Sequence, residues 1–195
     1  MKKRTIFNAL MFLLILFLGY VLFAQIREPI AFQREKNRRE KAVIDKLIEI
    51  RKAQELYRGV TGHFAKSFDE LKKGLEEGQF TVIQVYGDPD DPDNLQAVTY
   101  DTTYLPAIDS VQKLGLKLDG LGKVPFGNGA EFEIYADTVN YQQTLVDVVE
   151  VGAPYKVFMG EWADKRFKKY DEQYDPNKYI KFGSRTKPIL SGSWE

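Results

Sequence analysis

Residues 5–26 contain no charged side chain, and residues 6–24 are almost wholly apolar, broken only by Asn8, Gly19 and Tyr20. About 22 helical residues at about 1.5 Å each reach about 33 Å, enough to cross a hydrocarbon core of about 30 Å. The run reads as a membrane span that meets the lipid bilayer through residues 6–24, so everything after it is tethered. A cleaved secretory signal is the competing reading, because Lys2, Lys3 and Arg4 make a basic start and Ala24 could end a cleavage site. The run is longer than the usual signal core of about 7–15 residues, and bulky Leu22 stands two residues before Ala24, where a small side chain is expected.

The positive-inside rule weighs Lys and Arg on the two flanks. Lys2, Lys3 and Arg4 precede the span; Arg27, Arg34, Lys36, Arg38, Arg39 and Lys41 follow it, interleaved with Glu28, Glu35 and Glu40. A span so close to the first residue has the form of a signal anchor. The expected arrangement is single-pass in the cytoplasmic (inner) membrane, N-terminus inside, with a periplasmic or other extracytoplasmic domain. The whole chain has 195 residues, which leaves room for one ordinary domain beyond the anchor.

Glu28-Pro29 predicts a break or bend, since proline lacks an amide donor and disfavours helical geometry in the residue before it. Residues 31–57 then return to a helical pattern. Residues 32–41 are nearly all polar, with opposite charges at helical spacing (Glu35 with Arg39, Lys36 with Glu40), and predict an exposed stalk. Val43, Leu47, Ile50, Gln54 and Tyr57 follow at steps of four and three, flanked by Ile44 and Ala53, and form one apolar face. Val43, Leu47, Ile50 and Tyr57 are therefore candidate interaction residues. Packing on the chain's own sheet is preferred to coiled-coil pairing, because about two heptads with Gln54 in the seam fall short of the three or four a coiled coil needs.

The helix should stop at Gly59-Val-Thr-Gly62. Ser67-Phe-Asp-Glu70 is a capping-box pattern for a short helix ending near Gly78. Strands are predicted over residues 80–86, 97–104, 131–135, 143–151, 155–159 and 178–182 from their β-branched and aromatic content. Turn-rich stretches at 87–94 and 120–129 and the pair Ala153-Pro154 separate them. Residues 161–174 read as a short charged helix anchored by Trp162, Phe167 and Tyr170, and Trp194 as tucked into the domain. The fold class is α+β: an N-terminal transmembrane helix, a long amphipathic helix packed on an antiparallel sheet, and short extra helices. The expected organisation is 1–30 anchor and joint, 31–60 stalk and amphipathic helix, and 61–195 sheet domain.

Composition bounds the chemistry. Lys plus Arg and Asp plus Glu balance at 28 each, so no global basic surface points to nucleic acid. The absence of cysteine removes disulfides, thiolate nucleophiles, zinc–thiolate sites and lipoprotein processing together. The single histidine, His63, falls in a turn, and no serine lies in a Gly-x-Ser-x-Gly context. Gly120-Leu-Gly-Lys123 lacks the upstream glycine and the Ser/Thr of a phosphate loop and reads as a β-turn. No catalytic residue is assigned, and the chain is expected not to be an enzyme. Asp88, Asp90, Asp91 and Asp93, with Asn94, concentrate hard oxygen ligands that suit calcium. Pro89 and Pro92 interrupt the EF-hand spacing, and a solvated, proline-stiffened loop is the plainer alternative.

An apolar span leading into a helix that ends Ile50-Arg-Lys-Ala-Gln-Glu-Leu-Tyr57, then Gly59-Val-Thr-Gly-His-Phe64 and Ser67-Phe-Asp-Glu-Leu71, resembles the type IV pilin and type II secretion pseudopilin architecture. The likeness covers roughly residues 1–75. It departs from the family in having no Gly-Phe processing site after the basic leader and no glutamate within the span. The resemblance implies a pilin-like fold and a calcium ion in a sheet-side loop. The function expected is that of a non-enzymatic structural or assembly subunit of a membrane-bound, secretion- or appendage-like complex, with other envelope proteins or copies of itself as partners. A membrane-tethered peptide- or ligand-binding module, using a sheet edge or residues 120–129, is the alternative. A tethered hydrolase is a third reading and requires His63 beside a serine and a carboxylate in a cleft.

Overall fold

The computed structural model describes residues 2–86 and 99–195. Helix α1 (Lys2–Thr61) runs without interruption, with Pro29 inside it. Its first part is exposed and apolar, and by length and composition it is a helix able to cross a membrane.

Of the break or bend expected at Pro29, the break does not occur. A mid-helix proline removes one amide donor, and contacts on both sides here hold the helix through the defect. The Glu28 carboxylate accepts from the Tyr170 hydroxyl and lies 3.5 Å from Lys169 Nζ. Its proton affinity is held below the usual carboxylate range by that Tyr170 bond, against a smaller opposing effect of desolvation, with Lys169 and Arg166 adding to the lowering. Phe32 is fully buried, its ring stacked 5.0 Å from Phe167 and edge-on to Tyr174 at 5.0 Å, with Trp162 at 6.1 Å.

The exposed stalk is corrected by the same contacts. Gln33 Nε2 donates to the Tyr170 carbonyl at 3.2 Å, Lys36 Nζ reaches Asp171 Oδ2 at 2.6 Å, and Arg39 Nη1 donates to the Phe158 carbonyl at 2.8 Å. Residues 32–41 look polar because their partners are polar and lie more than a hundred positions away. Beyond them Val43, Leu47, Ile50 and Tyr57 enter the domain's own core together with Ala53.

Gly62 (φ 85°) ends α1, and α2 (Phe68–Glu77) folds back against it. Ser67 Oγ accepts from the Glu70 amide at 3.1 Å, which is the predicted cap. Glu70 does not return to the Ser67 amide; its oxygens take the Lys66 amide and the Tyr57 hydroxyl, each at 2.9 Å. The helices approach so closely at Gly74 that a Cβ there would collide with the Tyr57 ring.

The single expected sheet is two sheets. Strands β1 (Gln79–Tyr86) and β2 (Thr99–Pro106) form an antiparallel pair, followed by α3 (Ala107–Lys113), which no sequence pattern announced. Strands β3 (Glu133–Tyr141), β4 (Thr144–Pro154) and β5 (Tyr179–Gly183) make a separate antiparallel sheet in the order β3-β4-β5. The outer edge of β5 is covered by the C-terminal segment: the Gly183 amide donates to the Ser191 carbonyl and the Ser193 amide to the Lys181 carbonyl. Trp194 is tucked, half-buried against the core.

Residues 155–159 are not a strand. Tyr155–Met159 form helix α4, and Tyr155, Phe158 and Met159 are buried at helical spacing, a periodicity too short to separate from a buried strand. Residues 161–174 form no α-helix but two 3-10 turns, Gly160–Trp162 and Lys165–Lys169, the second capped by Asp164. Phe167 is the buried anchor, with Trp162 and Tyr170 partly buried beside it. A long apolar N-terminal helix with small antiparallel sheets is loosely compatible with pilin-like architecture, and it places the sheets beside the half of α1 that follows the apolar run.

Candidate functional site

The four candidate interaction residues of α1 are internal. Val43, Leu47 and Ile50 are 0% exposed and Tyr57 7%, so the face they form is closed by the chain itself. Gln54, the polar member of that face, has a partner for each end of its amide: Oε1 accepts from the Ala65 amide at 2.9 Å and Nε2 donates to the Ala65 carbonyl at 3.1 Å. That pair fixes the turn carrying His63. Asp88, Asp90, Asp91 and Asp93 lie outside the described residues. Among the described residues, no three His, Cys, Asp or Glu side chains are grouped so as to hold a metal ion.

His63 stands at a cleft of about 330 Å³ lined by Tyr57, Thr61, Lys66, Glu70, Thr138 and Asp147, among others. Its Nδ1 lies 3.0 Å from Asp147 Oδ2, and Thr138 Oγ1 donates to Asp147 Oδ1 at 2.7 Å. Desolvation pushes the Asp147 carboxyl up, but donation from Thr138 and His63 and the nearby charges of His63 and Arg58 outweigh it, leaving it below the usual range. The histidine and carboxylate that a hydrolase would need are thus brought together from positions far apart in sequence. Among the described residues, no serine lines the cleft. The hydroxyls of its described lining are engaged: Thr138 on Asp147, Tyr57 on Glu70 at 2.9 Å, and Thr61 within bonding distance of the Tyr57 and His63 carbonyls at 3.0 Å. The Asp147 carboxylate is placed to orient the His63 imidazole.

Gly120-Leu-Gly-Lys123 is a turn, closed by the Lys123 amide on the Gly120 carbonyl at 3.1 Å. Further along the same loop Phe126 receives two guanidinium groups of α1, Arg38 and Arg39, 5.1 and 5.3 Å from its ring centre. The loop is thereby tied to α1.

The surface that stands out is the β1–β2 pair. Its base is held by Phe80, whose ring lies against Gly59, and by the Ala107 amide donating to the Gly78 carbonyl at 3.0 Å. Beyond the base, every residue of 81–86 and 99–106 is exposed. Directly paired residues share a face: Thr81 with Tyr104, Ile83 with Thr102 and Val85 with Tyr100 on one, Val82 with Thr103, Gln84 with Asp101 and Tyr86 with Thr99 on the other. The first face carries no charge, and Asp101 is the single charged residue of the two strands. An isolated two-stranded ribbon is marginally stable in water, and clustered exposed apolar groups mark contact surfaces.

No protein-family model, curated protein or solved structure matches this chain.

The strands were legible from their β-branched and aromatic content, but that content reads equally as one face of a buried sheet. The His63–Asp147 pair left no mark in the sequence.

Proposed function

We propose that the chain is a non-enzymatic, single-span envelope protein that serves as a structural or assembly subunit of a membrane-bound complex of secretion or appendage type. Residues 6–24 sit in the cytoplasmic membrane with the N-terminus inside, and the folded domain lies on the periplasmic or other extracytoplasmic side. The β1–β2 ribbon is its contact arm, adding strands to, and burying its uncharged face on, an apolar surface of a second envelope protein. The observation that carries this reading is the ribbon: among the described residues its two strands pair only with each other, and Ile83, Val85, Tyr100 and Tyr104 stand at 49–63% exposure on one uncharged face. Exposed strand edges are templates for pairing, and charge on them would discourage it. Asp101 alone provides little such protection.

The long helix fits this role. The anchor and the domain share one helix, and from Ile26 to Gly59 about 33 residues at about 1.5 Å each place the ribbon's base about 50 Å along the axis from the end of the apolar run. The pilin-like resemblance of residues 1–75 supports the same class of machine. The missing processing site and the uncharged span set this chain apart from ordinary pilus subunits.

A photo-reactive amino acid at Tyr100, compared with one at exposed Lys52 on α1, tests the reading in intact membranes. A discrete adduct with another protein at position 100, absent at position 52, is the expected result. Equal labelling at the two positions, or none at position 100, would remove the contact arm.

A further inference from the structure

We propose that the lobe of residues 160–174 rests on the bilayer, where its exposed lysines and arginines, together with Arg27 and Arg34 of α1, bind anionic phospholipid headgroups. The inference depends on residues 6–24 spanning a membrane and is independent of the ribbon's role.

Depth comes first. The apolar run ends at Ile26, and a headgroup layer adds about 5–7 Å to each side of the hydrocarbon core. At about 1.5 Å per residue, residues 27–31 of α1 lie within that layer. The lobe is fastened to those residues: Tyr170 donates to Glu28, Lys169 Nζ is 3.5 Å from the same carboxylate, and Phe32 stacks on Phe167. Successive contacts along α1, from Glu28 with Lys169 to Lys36 with Asp171 and Arg39 with Phe158, put the turn Lys165–Lys169 at the membrane end of the lobe.

Charge comes second. Within that turn only Phe167 points into the core, while Lys165, Arg166, Lys168 and Lys169 are exposed. Arg27 and Arg34 are exposed on the adjoining helix. The acids nearby are Glu28, engaged by Tyr170 and Lys169; Asp164, which caps the turn through the Arg166 amide at 2.8 Å; exposed Glu161 and Glu172; and Asp171, paired with Lys36. The cations remain in excess, and they are set beside two amphipathic rings, Trp162 and Tyr170, of the kind that favours the headgroup layer. A soluble protein partner would have to enter that layer to reach the turn. Anionic headgroups lie in that layer wherever the bilayer contains them.

The consequence is mechanical: contact at the lobe as well as at the span restrains the tilt of α1 and so the direction in which the ribbon points.

The cysteine-free sequence permits a clean test on the full chain. Lys165→Cys in the lobe and Lys52→Cys on the distal part of α1 are reconstituted separately into vesicles of phosphatidylcholine, with or without phosphatidylglycerol. An uncharged polyethylene-glycol maleimide reports accessibility. Labelling at position 165 should slow when phosphatidylglycerol is present while position 52 is unaffected. Adding Lys168→Gln should weaken the docked population about fivefold, the contribution of one cation near an anionic surface. High salt should abolish the lipid difference. Equal rates at position 165 in the two lipids would overturn the proposal with the span intact. A chain that alkaline carbonate extracts from the vesicles would overturn the span reading, and the proposal with it.

Discussion

Phe32→Ala distinguishes a helix docked along its length from an anchor followed by a free stalk. The ring is fully buried, stacked on Phe167 with an interplanar angle of 3° and set edge-on to Tyr174 at 79°. Burial of such a side chain contributes about 1.5–3 kcal/mol, and two well-formed ring pairs add about 0.5–1.5 kcal/mol each. The sum brackets the cost of about 3–5 kcal/mol seen when a core phenylalanine is truncated. Part of that loss should be local, since only the lobe of residues 160–174 and the Glu28–Tyr170 contact depend directly on the ring. The assay is urea unfolding of the full chain in detergent micelles, followed by tryptophan fluorescence, paired with amide hydrogen exchange over residues 160–174. The expected outcome is a destabilisation of at least about 2 kcal/mol together with accelerated exchange in that segment. Lys36→Ala, which removes the partly buried ion pair with Asp171 on the same stretch of helix, should cost less than Phe32→Ala, about 1–2 kcal/mol. If Phe32→Ala shifts stability by less than about 0.5 kcal/mol, the typical effect of a surface substitution, the docking of residues 28–41 is wrong.

Gln54→Ala should destabilise by about 2–4 kcal/mol, because it leaves both the amide and the carbonyl of Ala65 without partners in a buried site; thermal melting of the variant checks this. Acid should weaken the fold through Asp171, whose carboxyl is held low by the Lys36 bond against a smaller opposing effect of desolvation, and through Glu150, where desolvation, the largest single effect, is outweighed by the combined donation and charge of Lys181 and Arg185. Their folded values lie below the unfolded 3.8 and 4.5, so their stabilisation is complete above those values and disappears as pH falls through the depressed ones. Asp171→Asn should flatten the acid limb of stability measured by urea against pH. At the alkaline end burial raises the Tyr174 phenol from 10.0 to about 12, so its stabilisation is present below the unfolded value and lost as pH rises toward the folded one. Tyrosinate absorbance should therefore show a late-titrating fraction that merges with unfolding, and Tyr174→Phe should diminish it.

Local rules carried the elements whose causes are local. The uncharged run of residues 5–26, the glycine stop at Gly62, the Ser67 cap and the β-branched strands each depend on neighbours within a few positions, and each is legible in the sequence alone. The capping box was half right because Glu70 had a better partner in Tyr57, a residue of the preceding helix. The apolar face from Val43 to Tyr57 was legible as a face; its occupant was not, since periodicity says only that a stripe must be covered.

Tertiary structure decided the rest. Residues 32–41 read as a solvated stalk because charge on a helix has the same spacing whether it faces water or an Asp171 and a Phe158 carbonyl contributed from the far end of the chain. Pro29 read as a break because the rule for proline counts the lost amide and not the Glu28 and Phe32 contacts on either side. Tyr155–Met159 read as a strand because five apolar positions do not distinguish a period of two from one of 3.6. Sequence by itself determined a tethering run, the stop and cap signals and the strand-forming stretches, all set by covalent geometry and near-neighbour chemistry. Only the three-dimensional arrangement determined that helix α1 is docked from Glu28 onward, that His63 meets Asp147, and that β1 and β2 pair with each other apart from the β3-β4-β5 sheet. Each of those depends on residues whose separation along the chain carries no local energetic trace.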